Sequence, residues 1–232
     1  MELKKYIYCA IDFKALTHAE QLISKIKNHI GGIKIGLEFF LSNGPEGVIA
    51  LKKYNLPIFL DLKFHDIPNT VYQAILSSLS LEPDLLSVHI SGGSEMLKKI
   101  TSIKDKKTKI LGITMLTSLN ELDLEIFGIK SSPQEYVNNL ARIAFENKLD
   151  GIVCSPNEVK QLKNIFPKNF LFVTPGIRLK NINDDQKRTL SPGEAVKYGS
   201  NILIIGRPIT KSNNPVNTIK EIINDIEIIN DK

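Results

Sequence analysis

Short runs of Ile, Val, Leu and Phe alternate along this chain with longer segments whose apolar residues recur at helical spacing. The runs predict eight strands, at 6–12, 32–36, 57–63, 85–90, 109–115, 151–154, 170–175 and 201–206. Most are continuously apolar rather than alternating, the pattern of strands covered on both faces in a parallel sheet. Between them, 18–29 sets Ala19, Leu22, Ile23 and Ile26 on one helical stripe, and 136–147 does the same with Val137, Leu140, Ala141, Ala144 and Phe145. Pro45, Pro68, Pro133 and Pro156 stand where helices begin. A helix can follow each strand, so the pattern predicts an α/β chain folded as a single (β/α)8 barrel over 1–232, at roughly 30 residues per unit. An open doubly wound sheet has the same alternation and differs only in closure, which periodicity does not decide.

Composition narrows the classes. A length of 232 residues with 42% hydrophobic residues supplies a core that needs no staple. The balance of 30 basic and 25 acidic residues gives +5, with the lysines scattered rather than gathered. That argues against nucleic-acid binding and suits an anionic small molecule. Cys9 and Cys154 sit in apolar runs and read as buried thiols, with no metal-ligand spacing. The first residues hold too short an apolar stretch for a signal peptide, and no run reaches the ~18 residues of a membrane span. A reduced, cytoplasmic setting is the expectation.

Both candidate architectures keep their chemistry at the C-terminal ends of the strands. The polar residues falling there are Asp12, Lys34, Asp61, Lys63, His89, Thr114, Thr117 and Ser155, with Arg178 and Arg207 just beyond the last two strands. The densest group lies in residues 57–70, PIFLDLKFHDIPNT. Asp61 and Lys63 are two apart, so on a strand they face the same side, and Asp66 follows in the loop. A lysine flanked by carboxylates is held as an ammonium, which donates a proton and stabilises developing negative charge. A plain salt-bridge network at the barrel rim is the alternative.

A strand ending in Gly206-Arg207-Pro208 predicts a phosphate site, with close backbone approach at the glycine and a two-pronged guanidinium beside it. The polar stretch around 178–190 reads as a lid over that site or as a solvated loop. The four histidines lack paired spacing, which argues against zinc; His65 and His89 read equally as packed or solvated rim residues.

Several strings together resemble one known family. CAID at 9–12, IKIGLEFF at 33–40, FLDLKFHDIPNTV at 59–71, VHISGG at 88–93, MLTS at 115–118, TPGIR at 174–178, DDQKR at 184–188 and IIGRPIT at 204–210 are similar to signatures of the orotidine 5'-phosphate decarboxylase family. The resemblance runs almost end to end. It implies a barrel that works as a homodimer with shared active sites, without metal or organic cofactor, and that converts orotidine 5'-monophosphate to UMP. It further implies Lys63 as proton donor to C6 of the pyrimidine, and Asp61 against the departing carboxylate. Asp66, Ile67 and Thr70 would reach into the partner's site. Asp12 and Lys34 would contact the ribose, Thr117 the pyrimidine, and Gln186, Gly206 and Arg207 the phosphate, with Arg178 at the base of the lid. Ser191 departs from the family's usual threonine before Pro192.

The nearest rival is a magnesium-dependent sugar-phosphate decarboxylase or aldolase of the keto-gulonate-phosphate or hexulose-phosphate type, which shares Asp-x-Lys-x-x-Asp. Such an enzyme needs an acidic residue on the second strand, where this chain has Lys34. A phosphate-binding barrel without activity is the other reading, and would require one of the two sites to be broken.

Overall fold

All eight apolar runs pair with their sequence neighbours in parallel, and the first and last pair with each other, so the sheet closes into a barrel. The computed structural model describes residues 3–103, 107–179 and 190–230. The strands are β1 (Ile7–Ile11), β2 (Gly32–Ile35), β3 (Ile58–Phe64), β4 (Leu85–His89), β5 (Lys109–Ile113), β6 (Gly151–Val153), β7 (Leu171–Thr174) and β8 (Ile202–Ile205). Around them lie α1 (Leu16–Ile26), α2 (Leu37–Leu51), α3 (Pro68–Leu79), α4 (Ser94–Thr101), α5 (Glu121–Ile126), α6 (Pro133–Glu146), α7 (Pro156–Leu162), α8 (Pro192–Tyr198), α9 (Arg207–Thr210) and α10 (Pro215–Asn230). Pairing of Ile7 with Leu203 and of Tyr8 with Ile204 is the closure that periodicity left open.

Helix starts follow local chemistry. Ser132 and Ser191 each accept the backbone N–H three residues on, at 3.3 Å, while Glu135 and Glu194 reach back to the serine N–H at 3.0 Å. These reciprocal bonds satisfy donors that a helix end leaves bare, and the following proline costs nothing there. Ser191 therefore does the capping work expected of a threonine. Within α2 the chain turns at Gly44, φ 60°, just before Pro45, so the proline opens a second helical segment after a kink.

The core has two parts. The larger lies between the strands and the helices and includes Ile23, Ile33, Phe39, Leu60, Ile75 and Ile152. The smaller fills the barrel, with Tyr8, Phe59, Leu85, Leu111, Val173 and Ile202 packed together. Side chains two apart on a strand share a face. Moving along the strands from this inner layer, the next inward positions are Ala10, Asp61, Ser87, Ile113 and Ile204. Beyond them come Asp12, Lys63, His89, Met115 and Gly206. Apolar residues thus plug the middle of the barrel, and the charged residues Asp12, Lys34, Asp61 and Lys63 gather towards its C-terminal mouth.

Candidate active site

A cavity of ≈ 550 Å³ opens at that mouth, within the size range of small-molecule sites. Ala10, Phe59, Ile113, Val153 and Ile204 line its floor, and Asp12, Lys34, Asp61, Lys63, Arg178 and Arg207 its polar wall. Thr117, Gly176 and Gly206 also line it. The structure therefore brings together eight residues singled out from the sequence, spread from β1 to the start of α9.

Charges alternate along the wall. Lys34 Nζ lies 3.1 Å from Asp12 Oδ1 and 3.9 Å from Asp61 Oδ2, and Lys63 Nζ donates to the same Asp61 oxygen at 2.6 Å. The Asp61 side chain is only 9% exposed, which makes two ammonium neighbours necessary compensation for a buried carboxylate. Room for this row comes partly from Gly36. A side chain there would stand 2.7 Å from Lys34 Nζ and 3.1 Å from Asp12 Oδ1.

The Asp61–Lys63 pair forms by a route that simple strand alternation does not describe. Leu60 pairs with Leu86 and Phe64 with Val88, so four steps along β3 oppose two along β4. The extra residues bulge, and Lys63 adopts the left-handed conformation at φ 52°. Non-glycine residues seldom occupy that region, which costs of order 1–3 kcal/mol and is held only where surroundings over-determine it. The N–H of Lys63, released from the ladder, donates to Ser87 Oγ at 2.9 Å, and that hydroxyl donates to Asp61 Oδ1 at 2.8 Å. No motif in the sequence marks Ser87, a lone serine inside LLSVH. Its inward parity, two residues after Leu85, was the signal.

Asp66, Ile67 and Thr70 do not line the cavity of their own chain. All three are exposed, and the Asp66 carboxylate accepts the Ile67 N–H at 2.7 Å. Within one chain, then, the described ion-pair partner of Lys63 is Asp61, not two flanking carboxylates. Thr114 is buried and bonds the Val153 carbonyl at 2.9 Å, and buried Ser155 precedes α7. Half-buried His89 lies with its ring 5.0 Å from that of His65. Burial foremost, then the His65 and Lys63 charges, lowers its pKa below the ordinary imidazole value. Gln186 and the 180–189 part of the lid stretch lie outside the described residues. Glu38, Cys154 and Lys211 line the cavity unforeseen.

Among the described residues, no group of three or more His, Cys, Asp or Glu is placed to hold a metal ion, and no helix is long and apolar enough to cross a membrane. The family model for the orotidine 5'-phosphate decarboxylase / HUMPS family matches residues 5–222. The chain belongs to this family. Within it, the chain is 48% identical over 217 residues to a protein of Sphingopyxis alaskensis named orotidine 5'-phosphate decarboxylase, covering 93% of this chain and 96% of that one. It is 44% identical over 221 residues to a protein of the same name from Wolbachia sp. subsp. Brugia malayi (strain TRS), covering 95% and 98%. A crystal structure of orotidine 5'-phosphate decarboxylase from Lactobacillus acidophilus superposes with a TM-score of 0.82 at 31% identity, covering 95% of this chain and 98% of the other.

Proposed function

We propose that this chain is a carboxy-lyase that converts orotidine 5'-monophosphate to UMP without metal or organic cofactor, as one barrel domain whose lid spans 178–190. Membership of the family supports the decarboxylation. The observation that carries the finer reading is the alternating row Asp12, Lys34, Asp61, Lys63 on one wall of the cavity.

In this reading the bond between C6 and its carboxylate breaks with the electron pair left on C6, and carbon dioxide departs. The buried Asp61 carboxylate stands beside the leaving carboxylate, and the Lys63 ammonium faces the pair that develops on C6. An N–H bond of Lys63 then breaks as the C6–H bond forms, and the neutral amine regains its proton from solvent. Asp12 and Lys34 hold the ribose hydroxyls and Thr117 meets the pyrimidine. Gln186, Gly206 and Arg207 hold the phosphate, with Arg178 close by. Phosphate binding, far from the reacting bond, drives closure and orients the ring.

Metal independence draws support from Lys34. Its ammonium, 3.9 Å from Asp61 Oδ2, occupies the side of the carboxylate that a divalent ion would need and repels one. With orotidine 5'-monophosphate as substrate, the fall in ultraviolet absorbance is expected at full rate in EDTA. Absence of turnover by folded protein sinks the assignment, and turnover that EDTA removes revives the magnesium-dependent rival.

Two further elements of the proposal concern the ends of the substrate. Arg207→Ala is expected to lower kcat/KM by about 100-fold, the value of a charge-assisted hydrogen bond to phosphate, mostly by raising KM. Steady-state kinetics checks this, and an unchanged KM removes Arg207 from the phosphate site. Asp66, Ile67 and Thr70 are proposed to complete the partner's site in a homodimer. An isoleucine left 67% exposed beside a carboxylate, and a Lys63 whose one carboxylate partner among the described residues is Asp61, support that assignment.

A further inference from the structure

We infer that Ser87 is a positioning residue for the reaction, acting through Asp61 and Lys63; this rests on the decarboxylase reading above. Ser87 is fully buried at the second inward position of β4, beside the bulge in β3. A hydroxyl has one proton to give and two lone pairs to receive. Here the proton goes to Asp61 Oδ1 at 2.8 Å, and a lone pair takes the Lys63 N–H at 2.9 Å.

Each bond fixes something the reaction needs. The bond to Oδ1 occupies one carboxylate oxygen and stops the group from rotating, so that Oδ2 is the oxygen turned to Lys63 at 2.6 Å and to Lys34 at 3.9 Å. The bond from the Lys63 N–H takes the place of the ladder bond lost at the bulge. It holds the backbone at φ 52°, from which the lysine side chain folds back onto Asp61. One hydroxyl thus couples the orientation of the carboxylate to the backbone of the lysine. Without it, both groups stay in the cavity but lose the fixed relation between them. Displacements well under an ångström matter when a charge must meet a developing carbanion.

The phosphate and ribose contacts come from other strands, so the effect falls on kcat. Ser87→Ala and Ser87→Cys are expected to lower kcat, per mole of folded enzyme, by about 10- to 100-fold, as for loss of a hydrogen bond to a buried charge. KM and the affinity for UMP stay within about twofold. Ser87→Thr, which keeps the hydroxyl, recovers kcat to within about threefold of the unmodified enzyme. Thermal melts of all three, with kcat referred to the folded fraction, separate positioning from simple loss of stability.

The role is overturned if Ser87→Ala retains kcat within about threefold, if its loss lies in KM, or if Ser87→Thr is no better than Ser87→Ala. A parent enzyme inactive on orotidine 5'-monophosphate removes the decarboxylase reading and the Ser87 role with it. An active parent with an indifferent Ser87 removes the Ser87 role alone.

Discussion

Lys63→Ala is expected to lower kcat by at least about 10⁴-fold, because one ammonium is proposed to do two jobs. A positioned general acid contributes about 10²–10⁴-fold. A fixed charge aimed at developing negative charge contributes about 10²–10³-fold in kcat when a single donor is removed. Both contributions vanish together in the alanine variant, and no other described lysine pairs with Asp61 at hydrogen-bond distance. Binding of UMP, measured by titration, is expected to persist within about tenfold, since the proposed phosphate contacts, Gly206 and Arg207, come from other elements than Lys63. The variant also leaves the Asp61 carboxylate short of its nearest counter-charge. The stability cost is expected at about 1–3 kcal/mol, less than for breaking a fully buried pair, because Lys34 remains and the Lys63 side chain is 31% exposed. Substantial residual turnover in a folded variant strips Lys63 of the proton-donor role.

The second large effect is expected from Asp66→Asn, which lowers activity about 100-fold or more if this carboxylate completes the neighbouring site. Its decisive form is a mixture. In a dimer with shared sites, an Asp66→Asn chain paired with a Lys63→Ala chain rebuilds one site with both native groups and one with neither. Random exchange at equal amounts then makes half of the dimers mixed, each with one good site, and restores about a quarter of the parent activity. Subunit exchange followed by the absorbance assay reads this directly. A mixture no more active than the sum of its parts means that Asp66 serves its own chain or no site at all.

The two aspartates of this motif show where local sequence stops being informative. Asp61 lies inside an apolar strand, so its burial and its need for a cation follow from neighbouring residues alone. Asp66 is five positions on, past the strand end, where spacing puts it in a loop without saying whether it faces the cavity of its own chain. The fold decides that, by placing Asp61 at 7% exposure on the cavity wall and Asp66 out on the surface. That Gly206 and Arg207 would stand at the cavity was legible for a related reason. Gly206 and Arg207 directly follow β8, and the end of a barrel strand is already the mouth of the cavity. Cys154, which also lines that cavity, was legible as a buried thiol and not as part of a site, because burial in an apolar run says nothing about which face is bare.

Local sequence was enough to locate the eight strands to within two residues at either end, the helical stripes of α1 and α6, and the set of charged residues at the strand ends. These are local properties: runs of apolar side chains, helical spacing and capping signals act over a few residues and need no knowledge of the rest of the chain. Tertiary structure alone decided closure, which depends on β1 meeting β8 across nearly the whole chain. It also decided the register slip between β3 and β4 that bends Lys63 into a left-handed backbone, and with it the place of Ser87. Pairing between strands is a contest among distant segments, so a serine in one strand acquires meaning only when the other strand arrives beside it.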